Sequence, residues 1–68
     1  MKYIGVDKNG SVFAYKGKPK WDTDLEWWRI FDTTHRLIPA EILPPLEPCC
    51  LYKITKDAYV LIEDRRKK

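Results

Sequence analysis

The chain has 68 residues, with 44% hydrophobic and 34% charged side chains and a net charge of +3. That size admits one domain with a thin core, and three Trp, four Tyr and two Phe exclude a wholly disordered chain. The mild positive charge excludes a dense acidic, DNA-mimicking surface, and no apolar run nears the about 20 residues of a membrane-spanning helix.

Residues Lys2 to Lys16 read as a β-hairpin around Asp7-Lys8-Asn9-Gly10. Two registers are open. A two-residue Asn9-Gly10 turn would group Ile4, Val6, Phe13 and Tyr15 on one face. A three-residue loop, Lys8 to Gly10 with a bulge at the glycine, would group Ile4, Val6, Val12 and Ala14, leaving Tyr3, Phe13 and Tyr15 opposite. The second follows the common Asp-x-x-Gly turn and is preferred. A slip of one residue exchanges the buried face, so this choice decides which aromatics are exposed.

Lys16-Gly17-Lys18-Pro19-Lys20 is a basic connector broken by Gly and Pro. Thr23-x-x-Glu26 matches a helix capping box, but Trp27 to Phe31 is rich in aromatic and β-branched residues that suit a strand. A loop or single turn to Glu26, then a strand over Trp27–Phe31, is the preferred reading. Asp32 to Arg36 reads as a turn, and Pro39-Ala40-Glu41-Ile42-Leu43 as a short helical turn with Pro at its permitted first position. Pro44, Pro45 and Pro48 then hold the chain extended. That stretch should wrap over an open face of the sheet, anchored by Ile42, Leu43 and Leu46.

A second hairpin spans Cys50 to Glu63 around Thr55-Lys56-Asp57-Ala58. It puts Cys50, Tyr52, Ile54, Tyr59 and Leu61 on one face and Leu51, Lys53, Val60 and Ile62 on the other. With both faces partly apolar, the hairpin should be central or covered on both sides. The expected fold is a small β-rich α+β domain over residues 1–64. It comprises two antiparallel hairpins, a central strand and one short helical turn, in a single sheet or a partly open SH3-like barrel. Residues 65–68 form a basic C-terminal tail.

Catalytic chemistry finds little to stand on. The chain has one Ser (Ser11) and one His (His35), distant in sequence and outside any nucleophile or nucleotide-binding motif. Cys49 and Cys50 are adjacent; on a strand they point to opposite sides, so both cannot easily reach one zinc ion. The expectation is a non-enzymatic protein with no cofactor and no metal. Its two thiols should be reduced, one in the core and one at the margin. With no apolar signal region behind Met1-Lys2-Tyr3, it is expected to be cytoplasmic.

Aromatic residues offer the better lead. Adjacent Trp27 and Trp28 cannot both face one core if extended, so one should be exposed, and Trp beside Arg29 is the composition of an interface anchor. The candidate protein-binding surface is Trp27, Trp28 and Arg29, joined by Tyr3, Phe13 and Tyr15 in the bulged register. A candidate nucleic-acid surface draws on Lys16, Lys18 and Lys20 of the connector with Arg65, Arg66, Lys67 and Lys68 of the tail.

The opening Met-Lys-Tyr-Ile-Gly-Val-Asp-Lys-Asn-Gly-Ser-Val-Phe-Ala-Tyr, followed by Lys-Pro-Lys-Trp-Asp, resembles small uncharacterised accessory proteins of tailed bacteriophages and prophages. Leu37-Ile38-Pro39-Ala40-Glu41-Ile42 is similar to a Leu-Pro-x-x-x-Ile step in many of them. The resemblance covers mainly residues 1–22 and carries no functional residues with it. It implies a protein that binds, and inhibits or redirects, a host protein. The alternatives are a nucleic-acid-binding module of SH3-like or OB-like outline and a structural homo-oligomeric subunit.

Overall fold

In the computed structural model, which describes residues 2–30, 36–39, 41, 43–56 and 58–66, the first hairpin takes the bulged register. Strands β1 (Tyr3–Val6) and β2 (Val12–Tyr15) pair with Ile4 opposite Ala14 and Val6 opposite Val12. The Gly10 N–H donates to the Asp7 carbonyl at 3.0 Å, and Gly10 sits at φ 89°. Glycine takes that backbone angle without a Cβ penalty, so residue 10 fixes the register the strands share.

The remaining elements are β3 (Lys20–Asp22), β4 (Trp27–Arg29), β5 (Arg36–Ile38), β6 (Cys50–Ile54) and β7 (Tyr59–Asp64). Five of the seven strands among the described residues form one antiparallel sheet in the order β5-β2-β1-β6-β7. The β6–β7 hairpin closes at Thr55, whose hydroxyl donates to the Ala58 carbonyl and accepts the Ala58 N–H. Further along, Leu51 faces Glu63 and Tyr52 faces Leu61, so Ile62 is an extra, bulged residue in β7.

Strands β3 and β4 form a separate two-stranded sheet. Their turn is built by Asp22, whose Oδ1 accepts the N–H groups of Asp24 and Leu25, both at 2.9 Å. Glu26, at φ 56°, closes it by donating its N–H to the Asp22 carbonyl. A short acceptor at the start of the turn satisfies the donors that a helix cap would otherwise serve. The Thr23-x-x-Glu26 pattern is therefore a hairpin turn, as the turn-then-strand reading requires.

Each face of the large sheet has its own core. Ile4, Val6, Val12, Cys50 and Tyr52 fill one, with Ile38, Ile54, Leu43 and Leu46 packed against them. The proline-rich stretch does cover this face: Leu43 and Leu46 anchor it, and the Glu47 N–H donates to the Tyr52 hydroxyl at 2.9 Å. On the other face Tyr15, Trp28 and Leu51 are buried, flanked by Tyr3, Phe13, Trp21 and Ile30. The β3–β4 hairpin is the lid of that second core.

Several expectations are corrected. Among the described residues there is neither a single sheet nor a closed barrel: two sheets stack, and the large one stays open. Trp27–Phe31 is not a central strand. The strand found there among the described residues, β4, pairs only with β3, because Trp28 uses its own polar groups to dock the hairpin onto the sheet. The helical turn over Pro39–Leu43 is not supported, for no α-helix stands among the described residues; Ala40 and Ile42, the latter an expected anchor, lie outside them. Of the Asp32–Arg36 turn only Arg36 is described, and it opens β5. In the second hairpin β6 is central, but β7 is an edge strand rather than a covered one.

Candidate functional site

Trp28 pins the lid. Its backbone N–H donates to Asp7 Oδ1 at 3.0 Å, and its indole Nε1–H donates to the Val6 carbonyl at 3.1 Å. The Tyr15 hydroxyl donates to the Trp28 carbonyl at 3.4 Å. At the turn end, the Lys8 N–H donates to the Glu26 carbonyl, and Lys8 Nζ pairs with Glu26 at 2.5 Å. The indole of Trp21 meets that of Trp28 edge-on, with ring centres 5.1 Å apart. Burying so large a ring with both its N–H groups satisfied gives β4 a fixed orientation.

That orientation decides the outer surface. Side chains alternate along a strand, so with Trp28 turned inward Trp27 and Arg29 must point out. Trp27 is 45% exposed against 4% for Trp28, and Leu25 in the preceding turn is 52% exposed. Arg29 reaches across the hairpin to Asp22 Oδ2 at 3.0 Å. The two N–H groups on its other oxygen, with Arg29 behind them, hold the Asp22 carboxyl below the usual carboxylate range.

Between β2 and β4 lies an open cleft of about 300 Å³, lined by Phe13, Tyr15, Trp27, Trp28, Arg29, Ile30 and Asp7. Asp7 is 7% exposed. Burial pushes its carboxyl above the ordinary value, only partly offset by the Trp28 N–H. The neighbouring Tyr15 hydroxyl is pushed well up, by burial first and by Asp7 second.

The sequence-predicted residues thus divide. Trp27 and Arg29 stand outside, Tyr3 and Phe13 are half-buried beside the lid, and Trp28 and Tyr15 are core. The contact surface expected at Trp28 and Tyr15 is corrected: Trp28 is the lid's own inward side chain and Tyr15 is buried against it. Two residues that matter were not singled out by sequence reasoning. Gly5 lies inside β1 where an added Cβ would come within 2.9 Å of the Trp28 ring; a glycine interrupting a strand pattern is the signal of such close approach. Asp7 read as a turn residue, and its second task as acceptor for Trp28 depends on a contact 21 residues away.

The basic clusters do meet. Lys18 Nζ and the Arg65 guanidinium both face Glu63 Oε1, at 4.0 and 3.2 Å. Arg66 pairs with Asp64 at 2.6 Å and with Glu47 at 3.3 Å. Much of that positive charge is met by acids. Lys16 and Lys20 are exposed; Lys67 and Lys68 lie outside the described residues. Cys50 is fully buried and Cys49 sits at the margin. Burial, with Asp64 nearby, pushes the Cys50 thiol up to about 11, which favours its protonated form near neutrality. Among the described residues no group of His, Cys, Asp and Glu could hold a metal ion, and no helix is long and apolar enough to cross a membrane.

A five-stranded open antiparallel sheet, lidded on one face by a hairpin and on the other by a proline-rich segment, defines the class: a small β-rich protein. The chain matches no protein family, no curated protein and no solved structure. Its function is read from its own surfaces.

Proposed function

We propose that this is a non-enzymatic accessory protein of the bacteriophage type that binds a host protein and thereby inhibits or redirects it. The observation that carries the reading is Trp27, held 45% exposed on the outside of a strand whose next residue is locked into the core. A rigid, exposed Trp flanked by Arg29 and Leu25 needs no ordering before it enters a partner's pocket, which is what makes such residues binding hot spots. The first-third resemblance to phage accessory proteins supports the same class of activity.

The test is affinity capture from bacterial lysate by tagged wild type, by Trp27→Ala and by Lys16→Ala, with and without nuclease and at two salt concentrations. Wild type and Lys16→Ala should retain a stoichiometric protein partner that Trp27→Ala loses, while all three melt within a few degrees of one another. Equal capture by Trp27→Ala would remove the assignment. Recovery of nucleic acid alone, lost at high salt, would move the function to Lys16, Lys18, Lys20 and the basic tail.

One observation favours a second reading, a structural subunit that assembles with copies of itself. β7 is an edge strand, and Tyr59, Val60, Leu61 and Ile62 are 36–47% exposed along it. An apolar edge with unpaired backbone groups is a template for another strand.

A further inference from the structure

The cleft beside Trp27 has a polar feature that an apolar contact surface does not need. Asp7 lies 93% buried (7% exposed) at its floor, and among the described residues its carboxylate has one hydrogen-bond donor, the Trp28 N–H on Oδ1. Oδ2 has none. A buried carboxylate oxygen without a donor is costly, and the cost falls when a ligand supplies a donor or a charge. The cleft's lining includes the half-buried ring of Phe13 and the exposed ring of Trp27, together with the buried rings of Tyr15 and Trp28. Aromatic rings in that setting attract a cation with an apolar stem. The cation already at the rim, Arg29, is engaged by Asp22 on the far side of the hairpin.

Resting on the protein-binding reading above, we infer that this cleft receives a lysine side chain of the partner, its ammonium donating to the second oxygen of Asp7 and its methylene stem lying along Phe13 and Trp27. Lysine fits better than arginine for a geometric reason. A guanidinium gains most by forking onto both oxygens of a carboxylate, and Oδ1 is already committed to Trp28. A compact ammonium needs a single acceptor. The available volume of about 300 Å³ is that of a small ligand site, enough for one extended side chain and too little for a folded element.

The probe is n-butylammonium chloride, which carries the lysine stem and head without a partner, titrated into the isotope-labelled full chain and followed by heteronuclear NMR. Sodium chloride, n-butyltrimethylammonium and n-butylguanidinium at matched ionic strength are the comparisons. Saturable shifts should centre on the amides of Asp7, Phe13, Trp27 and Trp28. The trimethylated analogue, having no N–H to donate, should bind about tenfold more weakly. Asp7→Asn keeps an acceptor for the Trp28 N–H, so it should retain the wild-type amide fingerprint yet lose the response. An equal response in Asp7→Asn, to sodium chloride or to the trimethylated analogue would overturn the inference, and tighter guanidinium binding would overturn the choice of lysine. Because no partner enters this experiment, its failure leaves the Trp27 surface standing, and only the capture experiment can remove that.

Discussion

Gly5 shows how one position can carry the relation between two sheets. It lies beneath the pinned indole of Trp28, and a methyl group there would sit 2.9 Å from Trp28 Cδ1 and 3.0 Å from Tyr15 Cε2. Both are rings packed in the core, so neither can swing aside as the end of a flexible chain could. Gly5→Ala should therefore lift the lid and destabilise the fold by about 1–3 kcal/mol, the usual range for overpacking. Urea unfolding followed by Trp fluorescence checks it. An unchanged midpoint would mean that the lid is not seated on β1. Trp27, one residue from Trp28 in sequence, is 45% exposed against 4%, so truncating it should cost far less, about 1 kcal/mol or below. The functional weight placed on Trp27 depends on that contrast.

At the scale of elements, the two edges of the large sheet are unlike. β5 is three residues long and offers one exposed apolar side chain, Leu37. β7 is six residues long and exposes four in a row. A bulge at Ile62 interrupts it and Glu63 and Asp64 charge its end, leaving the apolar run Tyr59–Ile62 without a charge or a proline. If copies of the chain pair through β7, Leu61→Lys puts a charge in the new interface at a side chain that is 46% exposed although it stands opposite Tyr52. Analytical ultracentrifugation should then show a concentration-dependent larger species for wild type and a monomer for Leu61→Lys. Wild type sedimenting as a monomer at every concentration would remove the assembly reading and leave β7 as an unprotected edge.

Over the whole molecule, the carboxylates pull stability in opposite directions with pH. Asp22 and Asp64 titrate below the usual range, Asp22 through the Leu25 N–H and then Arg29, Asp64 chiefly through Arg66. They favour the folded state above the ordinary carboxylate value and lose that effect as pH falls through their lowered values. Asp7 runs the other way. Its folded-state value lies above 3.8, so its neutral form suits the native state, and that contribution disappears as pH rises through the folded value. Asp7→Asn should consequently gain melting temperature relative to wild type as pH rises from about 3 to about 7. A constant difference across that range would show that burial does not disfavour the Asp7 charge.

How much of this was open to the sequence can be argued from particular residues. The two hairpins and the bulged register of the first were legible, because side-chain alternation and a glycine after Asp-x-x are local signals that act within a few residues. So were the exposure of one of the paired tryptophans, the burial of one of the paired thiols, and the cover that Leu43 and Leu46 provide. The separate β3–β4 sheet was not legible, nor was the burial of Tyr15 and Trp28 or the second role of Asp7. Each depends on a contact between distant parts of the chain: Trp28 with Asp7, Val6, Tyr15 and Gly5. Local pattern says that a strand has two faces, but only the packing of the hairpin onto the sheet says which ring becomes lid and which becomes surface. Strand, turn and register are set by the chain's own short-range sterics and hydrogen bonds; the cleft and its buried carboxylate exist only once the lid has closed.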